Sequence, residues 1–463
     1  MSTAERLLDR RRAGVLLHPT SLISGEGTVA RGALGANARR FVDWLAQAGF
    51  TIWQVLPLGP PGGGGSPYWA RSDFAGDVAL LDRAELPDPA AQSHDYANFS
   101  RTQTWLDDYV LFETMAAQFH SAWWDWPMPL RTRDRNAITR FAAEHTEALE
   151  RRRVEQWQFD WQWRAIRRYA AERGVHLLGD LPIYVAPDSV AVWSEPHQFQ
   201  LREDGRPANV AGVPPDYFSA DGQWWGNPLY DWAQHERDRF HFWRTRLSRQ
   251  LQRFDLVRID HFRGLAGYWS IPAGARTARE GDWCPAPGHA LFQVLRQDFP
   301  SMPLVAEDLG VITPDVEELR TAFGMPGMRV LQFGFDGSGD NPHLPQNYSR
   351  DVVAYTGTHD NDTTAGWYRS LDDASVRRVN FYLRADASIV LEQMERAVLA
   401  SVANLAIIPA QDVLRLGSEA RLNTPGTATG NWTWRLPLEA LDAGKAQYYS
   451  ALNQAFGRSV PRA

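Results

Sequence analysis

Eight short apolar runs, helical stretches between them and acids closing several of the runs predict an α/β fold. The specific form is a closed (β/α)8 TIM barrel with large insertions between strands 2 and 3 and between strands 3 and 4. Near-continuous apolar strands alternating with helices indicate a parallel sheet covered on both faces, and eight such units close a barrel. In chain order the runs are 15–18 (VLLH), 51–58 (TIWQVLPL), 176–183 (HLLGDLPI), 255–262 (DLVRIDHF), 303–309 (PLVAEDL), 329–335 (RVLQFGF), 352–359 (VVAYTGTH) and 405–411 (LAIIPAQ).

After the first run, NARRFVDWLAQAG reads as a helix capped by Asn37, with Phe41, Leu45 and Ala48 on one face and a stop at Gly49. About 120 residues separate Leu58 from Leu177, far too many for one crossover helix. An aromatic, mostly helical subdomain is therefore expected at about 80–173. The stretch at about 185–232 is rich in Pro, Gly, Asn and Trp and reads as an inserted loop covering one face. The whole chain, 1–463, is expected to be a single catalytic barrel domain.

Composition narrows the chemistry. Hydrophobic residues make up 44% and charged residues 22%, which suits a large packed core rather than disorder. A formal charge of −7 argues against nucleic acid or an anionic membrane as partner. Cys284 is the single cysteine, which excludes an intrachain disulfide and a cysteine-rich zinc site and points to a reducing cytoplasm. The N-terminus MSTAERLLDRRRAG has charge but no apolar stretch behind it, so no signal peptide is expected. Lys445 is the one lysine, so a lysine Schiff base or a phosphate-loop lysine elsewhere is impossible. Twenty tryptophans lean the other way, toward a ligand with flat apolar faces and polar rims.

Reacting groups of parallel barrels sit where strands end. Four strands here end in an acid: Asp180 in LLGDLP, Asp260 in VRIDHF, Glu307 in VAEDLG and Asp360 in GTHDND. One such acid is ordinarily a cap or turn residue. Four at equivalent positions repel one another and lose solvation, which marks a functional site. Glycoside cleavage needs two: an ionised carboxylate to attack the anomeric carbon and a protonated one for the departing oxygen. Arg258 lies two residues before Asp260, on the same strand face, where its guanidinium would favour the carboxylate; a simple barrel salt bridge is the competing role. Glu307 follows an apolar run among anionic neighbours, which should raise its pKa. His18, His261 and His359 also stand at strand ends, but HPT does not supply the tight histidine cluster of a barrel metal site. Neutral histidines bonded to sugar hydroxyls fit better, and no metal is expected.

The motifs GVLLHPTSL, WQVLPLGP, SPY, GDLPIYVA, VAGVPPDYFSADGQWWGNPLY, VRIDHFRG, AEDLG, PGMRVLQF, GTHDNDTT and EARLNTPGT occur in order along nearly the whole chain. In this the sequence resembles the 4-α-glucanotransferases of the amylomaltase (disproportionating enzyme) type, relatives of the α-amylase superfamily. The resemblance implies a (β/α)8 barrel with insertions. It implies Asp260 as nucleophile, Glu307 as general acid/base and Asp360 as a third carboxylate holding hydroxyls of the sugar at the cleavage point. It further implies that Arg258 and His359 orient that sugar, that Tyr68 and Trp225 line the subsites, and that Asp180 and Asn227 belong to the substrate-binding set. The implied reaction is retaining double displacement between maltooligosaccharides or α-1,4-glucans, with no metal, nucleotide or organic cofactor. The same carboxylates with water as acceptor would give an α-amylase-like hydrolase. A catalytically dead, glucan-binding barrel would be expected to have lost one of the acids. The sequence departs from the family pattern at Ala33, Trp69 and Asp77.

The run GPPGGGGSPYWA, Gly59 to Ala70, follows the second strand. Gly65 stands where a Walker loop would need lysine, so no phosphate cradle is expected. The glycines are read as a substrate-subsite loop that leaves room for glucan, with Tyr68 as its contact.

Overall fold

The computed structural model describes residues 7–23, 32–215, 221–427 and 429–459. Within them the chain forms strands β1 (Arg12–Leu16), β2 (Ile52–Gln54), β3 (His176–Leu181), β4 (Asn209–Val213), β5 (Gln223–Pro228), β6 (Leu256–Ile259), β7 (Gly267–Pro272), β8 (Asp282–Pro285), β9 (Leu304–Ala306), β10 (Gly327–Val330), β11 (Val352–Tyr355) and β12 (Leu405–Pro409). Eight of these form one parallel sheet in the order β10-β11-β12-β1-β2-β3-β6-β9. The Ala306 N–H donates to Pro326 O at 2.9 Å, just ahead of β10, and brings the two ends of the sheet together as a barrel. Each of the eight apolar runs contributes one strand. Most strands stop short of their run, because the residues beyond them leave the sheet to build the mouth. β10 also starts ahead of its run, at Gly327, and the first strand starts at Arg12. There Gly14 lies where a Cβ would sit 2.6 Å from Ile52, so β1 and β2 pack closer than a side chain would allow.

Strand alternation divides the core into two layers. Ile52, Leu178, Leu256, Val305 and Leu405 fill the barrel interior. Their chain neighbours Trp53, Leu177, Val257, Leu304 and Ala406 pack in the layer between sheet and helices. The helix Ala36–Gln47 buries Phe41 and Leu45 as expected, and Gly49 ends it at φ +74°. Its cap is not Asn37. Gly35 occupies that position, and Asn37 lies inside the first turn, where its amide donates to Leu22 O at 2.8 Å. The Asp82 carboxylate approaches Gly35 too closely for any Cβ there, so no capping side chain fits.

Between β2 and β3 run the helices Ser93–Thr102, Leu106–Phe119, Arg135–Glu144 and Thr146–Glu172. The last of these carries two buried glutamines that behave like pieces of strand. Gln156 accepts from Gly76 N at 2.8 Å and donates to Gly76 O at 2.9 Å; Gln162 does the same with Asp82, at 3.0 and 2.8 Å. Each amide is satisfied on both sides, and together they fasten the segment that follows the glycine loop.

The stretch at about 185–232 holds the helix Val190–Ser194 and the strands β4 and β5. These join β7 and β8 in an antiparallel sheet, β5-β4-β7-β8. Its other half comes from the segment after β6, which the apolar pattern left without a strand. The reason is visible in the burial of β8 and the start of β5: their residues are largely exposed, so no apolar run announces them. At the opposite face of the barrel the fully buried Arg458 guanidinium donates to Leu399 O (2.5 Å), Arg12 O (2.8 Å), Ser401 O (3.0 Å) and Ala403 O (3.0 Å). Among the described residues no helix is long and apolar enough to cross a membrane.

Candidate active site

The centre of the mouth is an arginine shared among three oxygen-bearing side chains. Asp180 on β3 and Arg258 on β6 are direct register partners, so their side chains emerge side by side. Arg258 Nε donates to Asp180 Oδ1 at 3.0 Å and Nη2 to Oδ2 at 2.6 Å. The same Nη2 reaches Asp260 Oδ1 at 2.9 Å and the Tyr68 hydroxyl at 3.0 Å. Tyr68 in turn donates to Asp180 Oδ2 at 2.6 Å. Arg258 and Asp260 share a face because they are two residues apart on a strand and its extension.

Glu307 follows β9. Its Oε2 accepts from His261 N at 2.7 Å and its Oε1 from Leu309 N at 3.0 Å. His261 adopts the left-handed conformation, φ +50°, which turns its N–H toward Glu307. The residue after Asp260 thus holds Glu307 directly, so the two carboxyls are neighbours.

Asp360 lies on the loop after β11 with its side chain 46% exposed. Its Oδ1 accepts from Asn423 Nδ2 at 2.6 Å and lies 3.3 Å from His359 Nε2, while its backbone carbonyl accepts from Arg421 Nη2 at 2.6 Å. The His359 ring is buried and stacks on Tyr68, centroids 5.1 Å apart at 12°, with Trp432 against both. Trp225 stands edge-on to His261 at 4.7 Å, next to Asp260. The acids, Arg258, His359, Tyr68 and Trp225 are thus gathered at one end of the barrel. Asn227 is buried to the side, where its Nδ2 donates to Val185 O at 2.9 Å and braces the inserted segment. Sequence reasoning assigned no role to Asn423, Arg421 or Trp432. The signal for the first two was present in EARLNTPGT; an acid on one loop and an amide on another show their partnership only in three dimensions.

Burial sets the protonation states. It pushes Glu307 up to about 7, against the opposing pull of Arg258 and the two backbone N–H groups. Asp260 departs from the sequence expectation. Burial, joined by Asp180, Glu307 and Asp360, pushes its carboxyl up, and Arg258 opposes this without reversing it. The guanidinium is spread too thin: two of its contacts go to Asp180, leaving one for Asp260. His18 and His261 are pushed down to about 3, chiefly by burial, and His359 is lowered for the same first reason, so all three are neutral near pH 7. Among the described residues no group of three His, Cys, Asp or Glu is disposed to hold a metal ion.

The glycine run forms a hairpin-like loop. Gly62 N donates to Trp69 O at 2.8 Å and Arg71 N to Pro60 O at 2.9 Å. The exposed tip, Gly63–Gly65, faces open space, with nothing within 4 Å of where a Cβ would be. Gly64 and Gly65 have φ of +80° and +71°, so the conformation as well as the space demands glycine. Gly64→Ala is expected to destabilise the protein by about 1 kcal/mol, read as a lower urea midpoint at unchanged slope. Of the departures from the family pattern, Ala33 is buried in the core. Asp77 caps the turn Val78–Leu80 through Ala79 N at 2.9 Å, and Trp69 supplies the carbonyl that closes the hairpin.

An eight-stranded parallel barrel whose strand ends converge on carboxyls beneath an aromatic wall defines the class: a barrel enzyme with paired acids at its C-terminal mouth. The 4-alpha-glucanotransferase family profile matches residues 17–92 and 83–440. The chain belongs to that family, and it is an enzyme that transfers glucan segments. The 4-alpha-glucanotransferase of Thermus thermophilus is 46% identical over 477 residues, spanning 92% of this chain and 95% of that relative. That of Synechocystis sp. is 41% identical over 505 residues, spanning 98% and 99%. Amylomaltase from Streptococcus agalactiae, solved in complex with acarbose, superposes with a TM-score of 0.92 at 32% identity, covering 97% of this chain and 100% of that one.

Proposed function

We propose that the chain transfers α-1,4-glucan segments between maltooligosaccharides by retaining double displacement, with Asp260 as nucleophile and Glu307 as acid/base. The observation that carries this reading is the pair itself: neighbouring carboxyls joined through His261 N, one touching a guanidinium, the other held by backbone N–H groups alone. Both are raised by burial, so a proton remains on the pair near neutral pH. Arg258 Nη2 meets Asp260 directly at 2.9 Å, so the productive form of the pair has the charge on Asp260 and the proton on Glu307. Asp260 attacks the anomeric carbon and forms a glucosyl ester while Glu307 protonates the departing 4-oxygen. The acceptor's 4-hydroxyl then gives its proton to Glu307 and attacks the ester, which releases Asp260 and makes the new bond.

Asp360, its side chain 46% exposed, holds hydroxyls of the sugar at the cleavage point, and neutral His359 donates alongside it. Tyr68 and Trp225 supply faces for the sugar rings, Asp180 keeps Arg258 in place, and Asn227 holds the inserted segment against the site. The scheme requires no metal or organic cofactor, and the single cysteine suits a cytoplasmic setting.

Maltotriose separates transfer from hydrolysis. Transfer yields glucose together with oligosaccharides longer than the substrate and no net gain of reducing ends. Only shorter sugars and a steady rise of reducing ends would overturn the reading. Because Glu307 must be protonated to act as acid, the initial rate is expected to fall as pH rises through about 7. A rate independent of pH between 6 and 8 would remove Glu307 from that role.

A further inference from the structure

Asp412 lies in the short helix Ala410–Val413 directly after β12, and no step of the reaction above uses it. Its side chain is buried, at 4% exposure, yet points at a different part of the barrel rim. Oδ1 accepts from Thr364 N at 2.7 Å. Oδ2 accepts from Thr356 Oγ1 and from Thr364 Oγ1, each at 2.7 Å. Thr356 follows the last residue of β11 and Thr364 opens the helix Thr364–Ser370. One carboxylate therefore grips both ends of the segment 356–364, TGTHDNDTT, with His359 and Asp360 at its middle.

A buried carboxylate is retained only where its oxygens are satisfied. Arg415, the cation whose charge reaches Asp412, spends its Nη2 on Glu395 Oε2 at 2.8 Å. The direct partners of Asp412 are thus the two threonines of the loop. Ordinary capping would require one bond at one end; bonds to both ends fix the distance between them. Inside the span, Thr358 bonds Asn361 Oδ1 through both N (2.9 Å) and Oγ1 (2.8 Å), so the loop is a stiff arch standing on a single base.

We infer that Asp412 is a positioning residue for the transfer reaction: it sets the span of the 356–364 arch and thereby the placement of His359 and Asp360 against the sugar. The inference rests on the assignment of Asp360 to the site. Asparagine can preserve the arrangement, since its carbonyl accepts from Thr364 N and its amide donates to the two hydroxyl oxygens; alanine cannot.

The test is steady-state kinetics on maltotriose, well below the melting temperature, for Asp412→Ala, Asp412→Asn, His359→Ala and the double variant Asp412→Ala/His359→Ala. Asp412→Ala is expected to lower kcat/KM by about tenfold to a hundredfold, and Asp412→Asn to recover it to within about threefold of the parent. The double variant should lose less than the product of the two single losses, because both act on one arch. A folded Asp412→Ala enzyme with unchanged kcat/KM, or strictly multiplicative losses, overturns the proposal. If Asp412→Ala does not fold, Thr356→Val removes one foot of the arch at constant shape and enters the same cycle. Full activity in Asp360→Asn would instead overturn the underlying site assignment, and the inference with it.

Discussion

Asp260→Asn is expected to reduce kcat for maltotriose disproportionation by at least about 10⁴-fold while leaving the fold intact. The amide oxygen can still accept from Arg258 Nη2, so the guanidinium keeps the contact it now makes at 2.9 Å. What disappears is the proposed nucleophile: an amide cannot form the glycosyl ester. Thermal stability should not fall and is expected to rise slightly, because Asp260 now sits among three acids that oppose its charge, Asp180, Glu307 and Asp360. Calorimetry with product analysis on the same sample checks both halves. Activity within tenfold of the parent would show that another group attacks the sugar.

Arg258→Met has the second large effect, and it acts on stability and chemistry together. Arg258 is buried, and its removal leaves Asp180, whose side chain is fully buried, with the Tyr68 hydroxyl but no cation. Breaking a buried ion pair from one side is destabilising by about 3–5 kcal/mol, which a urea titration would read directly. The charge that opposes protonation of Asp260 goes with it, so the Asp260 carboxyl rises further. More of the enzyme then carries a neutral Asp260, the proposed nucleophile, at a given pH. The acid limb of the rate profile should move to higher pH, and kcat/KM near neutrality should fall by about a hundredfold. A variant that is destabilised but keeps the parent's pH profile would assign Arg258 to structure alone.

The barrel was legible because its strands are buried on both faces and read as unbroken apolar runs; LAIIP and VVAY can hardly be anything else. The antiparallel sheet was not, because the start of β5 and the strand DWCP are largely exposed and carry no run. The acids were legible one by one from their positions at strand ends. Their electrostatics were only half legible: spacing placed Arg258 beside Asp260, but only the register of β3 against β6 reveals that Asp180 claims most of that guanidinium. The same limit hid Asn423, whose tie to Asp360 joins residues on two loops. The cap at Asn37 failed for a local reason, the crowding of Gly35 by Asp82.

The seam between β1 and β12 has a consequence for how the protein is made. On a ribosome the chain emerges from its N-terminus, yet β1 pairs on one side with a strand that appears nearly four hundred residues later. The Arg458 guanidinium, which ties Arg12 O from 446 positions away, arrives later still. Throughout synthesis one edge of β1 carries unpaired backbone groups, the kind of edge that recruits strands from other chains. The helices between β2 and β3 can form early from local contacts, but the circle closes only when β12 slots between β1 and β11. Nascent chains halted before Leu405 would therefore present two open sheet edges at once, making an interrupted translation product of this barrel a natural client for chaperones.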